Sequence, residues 1–134
     1  MLSELTRPTP SARVVEWLES VDESLLYLSV LTLGEIRKGS TILTRGRRRS
    51  TLEAWLDAEL VPRFASRVLV IDATTADRWG ALAGEAQLRG MPVPVIDGLI
   101  AATALQHHLT VVTRNVSHFT NLGVATFNPW DESG

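Results

Sequence analysis

Apolar positions change their period along the chain, and each change marks an element. Val14, Val15 and Leu18 recur at helical spacing just after Pro10, which predicts a short helix over residues 11–19. Residues 25–30 form an apolar run with Tyr27 inside it and read as a buried strand. Residues 32–43 read as a helix. Ser50, Thr51, Leu52 and Glu53 have the form of a capping box, opening a helix toward Val61 with Pro62 beyond its end. A short strand is expected at 68–71. A helix follows over 75–89, stopped by Gly90 with Pro92 just after it. Residues 97–107, rich in Ala and Leu, predict a third long helix, and 109–113 and 124–127 predict two more strands.

Strands therefore alternate with helices, which argues for an α/β domain with a mainly parallel sheet flanked by helices. The chain opens on a turn and a helix with no strand before them, whereas an α/β domain of this size usually begins with one. At 134 residues, with no repeat or long linker, residues 1–134 read as a single domain.

Composition narrows the class. Hydrophobic residues make up 45% and charged residues 21%, which excludes general disorder. The absence of cysteine excludes a disulfide framework and thiol-based metal chemistry, and fits a reducing cytosol. No apolar run approaches the length of a membrane span, and the first residues do not read as a signal peptide. The net charge of −2 points to no polyanionic partner, but the distribution does more. Six of the 13 basic residues fall between positions 37 and 49: Arg37, Lys38, Arg45, Arg47, Arg48 and Arg49. No acid lies between Glu35 and Glu53. Such a run is either a solvated turn or a contact for phosphates.

In an open parallel sheet, ligands bind beyond the carboxyl ends of the strands. Glu35 follows the first predicted strand, in the first turn of the next helix. Asp97 opens a helix after Val93-Pro94-Val95-Ile96, and Arg114-Asn115-Val116-Ser117-His118 follow the strand at 109–113. Two carboxylates would then converge near Asn115, Ser117 or His118. Convergent carboxylates suit a hard divalent cation such as Mg²⁺, which can assist phosphoryl displacement. The plainer readings stay open. Glu35, three residues after Thr32, completes a capping box; Asp97 is a helix N-cap; His107 and His108 complement a helix C-terminus. Against the plain reading of Asp97 stands its place in the most apolar stretch of the chain, where an unpaired charge is costly.

Five segments carry a resemblance. They are Met1-Leu2-Ser3-Glu4-Leu5-Thr6-Arg7-Pro8, Ser29-Val30-Leu31-Thr32-Leu33-Gly34-Glu35-Ile36-Arg37-Lys38-Gly39, Val95-Ile96-Asp97-Gly98-Leu99-Ile100-Ala101-Ala102-Thr103-Ala104, Val112-Thr113-Arg114-Asn115-Val116 and Asn128-Pro129-Trp130. In order and separation they resemble the PIN-domain toxins, nearest to the VapC and FitB-like group of bacterial toxin–antitoxin pairs. The resemblance covers essentially the whole chain. It implies a three-layer PIN-like fold and a cytoplasmic Mg²⁺- or Mn²⁺-dependent endoribonuclease. It also implies a homodimer and a cognate antitoxin that plugs the active site. Glu35 and Asp97 match two of the family's acidic metal ligands. The segment 113–119 matches a region that often supplies another acid, and here His118 and Asn115 stand at the candidate positions. For such a protein the basic residues Arg37, Lys38, Arg45, Arg47, Arg48, Arg49 and Arg114 are the expected contacts for RNA or antitoxin.

One departure from the family matters. Family members usually begin with a central strand ending in a metal-binding Asp, and this first strand is missing here. The intact remaining segments favour a start upstream of Met1 over a truncated gene. The expected function is therefore a toxin that hydrolyses RNA phosphodiesters with Glu35, Asp97, Asn115 and His118. The alternative is a catalytically impaired PIN-domain protein that binds an antitoxin without cleaving RNA. A truncated chain unstable by itself is a third possibility, since a gap in a sheet exposes unpaired edges.

Overall fold

Ser29 ends a strand and starts a helix at once: its hydroxyl accepts the Leu31 N–H at 3.1 Å, so the helix begins at Val30. This junction belongs to a computed structural model that describes residues 16–17 and 20–129. The strand β1 is Leu28–Ser29, shorter than the expected 25–30, because Glu23–Leu25 forms a 3₁₀ turn capped by Asp22. Helix α1 runs Val30–Thr41. Glu35 therefore lies in its second turn, and Thr32 is not its cap. Of the helix expected over 11–19, Glu16 and Trp17 are helical; the rest of it, the Met1-to-Pro8 segment and Trp130 lie outside the described residues.

Helix α2, Arg47–Trp55, starts three residues before the expected capping box. Gly46 precedes it, and the Gly46 carbonyl accepts the Ser50 N–H at 3.0 Å. Glu53 does not cap; it pairs with Arg49 at 2.6 Å across one turn. The helix widens into a π stretch over Leu56–Leu60 and continues through Val61–Arg63. Pro62 thus sits inside the last turn rather than beyond it, where its missing N–H interrupts the ladder.

Strand β2 is Val68–Leu69. Helix α3 spans Ala73–Leu88, opened by a reciprocal capping box of Asp72 with Thr75. The Thr75 backbone N–H and hydroxyl, in that order, hold the Asp72 carboxyl below its ordinary pKa. Gly90, at φ +73°, ends the helix as expected. Helix α4 is Val95–Gln106 with Pro94 at its N-cap, so Asp97 is the third helical residue and not the cap. Strands β3 (Val111–Val112) and β4 (Thr126–Phe127) follow, separated by 3₁₀ turns at Val116–His118 and Thr120–Leu122.

All the described pairing is parallel, as the alternation predicts, but the strands form two pairs. Leu28 and Ser29 pair with Val68 and Leu69; Val111 and Val112 pair with Thr126 and Phe127. Each pair has its own core. Around β1 and β2, Ile36, Leu56, Leu60 and Phe64 are buried, with Phe64 only 1% exposed. Around β3 and β4, Ala86, Ala101, Ala104, Phe119, Leu122 and Val124 are buried. Each large side chain so buried contributes roughly 1.5–3 kcal/mol. Between the halves lies a cleft of about 600 Å³, with Leu28, Thr32, Ile100, Thr103, Val111 and Phe127 in its walls. Among the described residues the two pairs share no strand. The Trp17 ring, also lining the cleft, packs 5.5 Å from that of Phe127. No described helix is long and apolar enough to cross a membrane.

Candidate active site

Two elements of the second half bring their chemistry together. The α4 start fixes Asp97, because Pro94 pre-sets the turn and Gly98 lets the helix press against α3. A Cβ at Gly98 would stand 2.9 Å from both Cδ1 and Nε1 of Trp79. The 3₁₀ turn after β3 fixes His118, with the neighbouring Phe119 buried as its anchor. His118 Nδ1 lies 2.9 Å from Asp97 Oδ2. The side chains are 47% and 24% exposed respectively, so the pair opens to solvent while the carboxylate is the more enclosed member. The costly charge in the apolar stretch has thus found a partner.

The other sequence-derived candidates are placed differently. Glu35 is exposed on α1, in the other half, and does not join Asp97 and His118: among the described residues no three His, Asp or Glu side chains gather where an ion could be held. Asn115 is exposed and precedes the 3₁₀ turn; its backbone N–H is held by the Thr113 hydroxyl at 3.0 Å. Arg37 pairs with Asp57, and Arg49 with Glu53. Lys38, Arg45, Arg47, Arg48 and Arg114 are exposed. The basic stretch therefore divides into structural members, Arg37 and Arg49, and outward members around Gly46.

Two kinds of donor meet here, in contact with each other. Asp97 offers a carboxylate oxygen and His118 an imidazole nitrogen, both positioned by regular structure and both accessible. An ion there would complete its shell with water or phosphate oxygens. The sequence showed both residues but not their direct contact. It missed Trp79, whose Nε1 is buried without a hydrogen-bond partner. A glycine inside an apolar helical run, such as Gly98, is the available signal of such a close approach.

Comparison with known proteins bears on this arrangement. The family described as PIN domain matches residues 1–123. Toxin FitB from Neisseria gonorrhoeae is 39% identical over 132 residues, covering 98% of this chain and 95% of that protein. A VapC ribonuclease from Sinorhizobium fredii is 34% identical over 131 residues, covering 98% and 94%. Among solved structures, FitAB bound to a DNA fragment superposes with a TM-score of 0.92 at 38% identity, covering 97% of this chain and 91% of that one.

Proposed function

Since the chain belongs to the PIN-domain toxin family of VapC and FitB, we propose that it is a toxin-type partner in a toxin–antitoxin pair whose RNA hydrolysis is weak in residues 1–134. The single observation that carries this reading is that Asp97 pairs with His118, not with a second carboxylate. A site with one carboxylate and one imidazole has less negative charge to hold Mg²⁺ than a carboxylate cluster has. Groups that act as a unit lose function together when one is missing.

In this reading Asp97 holds a divalent ion, and Glu35, on α1 in the other half, adds negative charge at a distance and not as a ligand. A bound ion of this kind supplies Lewis-acid stabilisation to a phosphodiester undergoing displacement. His118 fixes the orientation of the Asp97 carboxylate through Nδ1. Asn115 positions phosphate or water at the mouth of the site. Arg45, Arg47, Arg48 and Arg114, with Lys38, draw in the RNA backbone or an acidic stretch of antitoxin. The exposed apolar side chains Leu88, Met91, Val95 and Ile96, along the link from α3 to α4, support a homodimer. The resemblance supports an antitoxin partner and a cytoplasmic location.

The second reading is full metal-dependent endoribonuclease activity, favoured by the enclosed, preorganised Asp97. One experiment separates the two. Purified residues 1–134 are given RNA with Mn²⁺ or Mg²⁺, beside an EDTA control and Asp97→Asn, and are tested in parallel for capture of the antitoxin encoded next to the gene. Capture with little or no cleavage supports the proposal. Strong cleavage lost in both controls supports the second reading, and a folded chain that does neither refutes both.

A further inference from the structure

We infer that the cleft between the two strand pairs is an acceptor for one extended, uncharged, apolar segment of another polypeptide, which enters as a strand between β1 and β3. This goes beyond the reading above and does not depend on Asp97 holding an ion.

The backbone is the first argument. The Leu28 N–H bonds the Arg67 carbonyl at 3.0 Å, toward β2. In a planar trans peptide the preceding carbonyl points the opposite way, so the Tyr27 C=O turns away from β2. Successive residues of a parallel ladder bond on opposite sides of the strand, so the Ser29 N–H turns the same way. Strand β3 repeats the pattern. The Val111 and Thr113 N–H groups bond the Ala125 and Phe127 carbonyls at 2.9 and 3.0 Å, toward β4. The Thr110 and Val112 carbonyls and the Val112 N–H therefore turn away from β4. Tyr27, Ser29, Thr110 and Val112 all line the cleft. None of these outward groups meets a backbone partner among the described residues. Such open edges are templates for a further strand. Only an extended peptide carries N–H and C=O groups on both its edges in the alternation that two facing walls require.

The side chains are the second argument. The lining residues include no Asp, Glu, Lys or Arg, and Leu28, Ile100, Val111 and Phe127 supply apolar walls. A strand held between parallel neighbours and covered on its faces is a run of apolar residues. The volume of about 600 Å³ lies within the range of sites that enclose a ligand. A segment of about five residues, the usual length of a strand, spans the walls. The source is the third argument. Among the described residues, the apolar runs at 25–30, 68–71, 93–96, 109–113 and 124–127 already belong to the strand pairs, to α4 and to the cores beside them, so none is spare to fill the slot.

The test uses residues 1–134 and a synthetic probe of five consecutive Val and Ile residues between lysines. A second peptide of the same sequence carries N-methyl groups at alternate residues, which keeps the side chains and removes the bonds along one edge. Amide hydrogen exchange, followed by nuclear magnetic resonance, reads Ser29 and Val112. Both amides should exchange rapidly in the chain alone, slow about tenfold or more with saturating probe, and change little with the N-methyl peptide. Val112→Pro removes a slot-facing N–H and no bond to β4, so it should weaken probe binding about tenfold, with thermal melts checking its fold. Should that variant not fold, the comparison of the two peptides decides. Equal binding of both peptides would make the cleft an apolar pocket and overturn the inference, as would a folded chain that binds neither. Slow exchange of both amides without probe also overturns it. Slowing that grows with protein concentration would name a second copy as the occupant; slowing at every concentration would name this chain's own residues.

Discussion

His118 Nδ1 and Asp97 Oδ2 meet at 2.9 Å across 21 residues of chain, tying the turn after β3 to the first turn of α4. The contact is half open to water, and pairs of that kind contribute about 0–1 kcal/mol. His118→Ala should therefore leave the stability nearly unchanged in denaturant melts while reducing ion affinity about 10–100-fold. A loss of several kcal/mol would instead make the pair a structural clamp.

Gly98→Ala should cost about 1–3 kcal/mol, because the new methyl meets the Trp79 ring 2.9 Å away. Trp79→Phe removes Nε1, one of the two atoms in the way and a buried donor with no partner. The double variant should recover part of the loss. Additive losses in a double-mutant cycle would show that the two residues do not press on each other.

Arg47→Ala with Arg48→Ala should weaken RNA binding and lower the salt slope by about 1.4, the value for two lost contacts to a single strand. Both are exposed at the start of α2. Arg49 is better left in place, since its bond to Glu53 would be lost with it. An unchanged slope would remove this stretch from RNA recognition.

Acid should expose the Asp72 cap. Its pKa is depressed below the ordinary 3.8 by the bonds from Thr75. The stabilisation it gives is thus fully present above 3.8 and is lost as pH falls through the lower folded value. Asp72→Asn lacks that titration. Melting temperatures followed from neutral pH to strong acid should show the wild type losing a few degrees more than the variant, all of it below about pH 4. A difference that opens near neutrality would point to another group.

Much of the fold was legible because its signals were local. Gly90 stopped α3 as expected, and the alternation of periods foretold parallel pairing. Boundaries went astray where side chains compete for the same backbone groups. Ser29 took the cap expected of Thr32, and Glu53 turned to Arg49 instead of closing a box on Ser50. At the site, Asp97 was marked by a charge in an apolar stretch, and His118 by its place after a strand. Their contact was not legible, because it depends on how far the turn after β3 reaches toward α4. The separation of Glu35 from them was hidden for a similar reason: it depends on the distance between the two strand pairs.

That distance has a consequence for the acids themselves. Glu35 rides on α1, whose Thr32 faces the cleft from one side; Asp97 rides on α4, whose Ile100 and Thr103 face it from the other. The two helices act like the jaws of a caliper whose setting is whatever fills the cleft. Bulk placed between the jaws, or taken away, alters the span between the carboxylates without touching either one. The spacing of the acids is thus set at the walls of the cleft between the two strand pairs, by residues with no charge of their own.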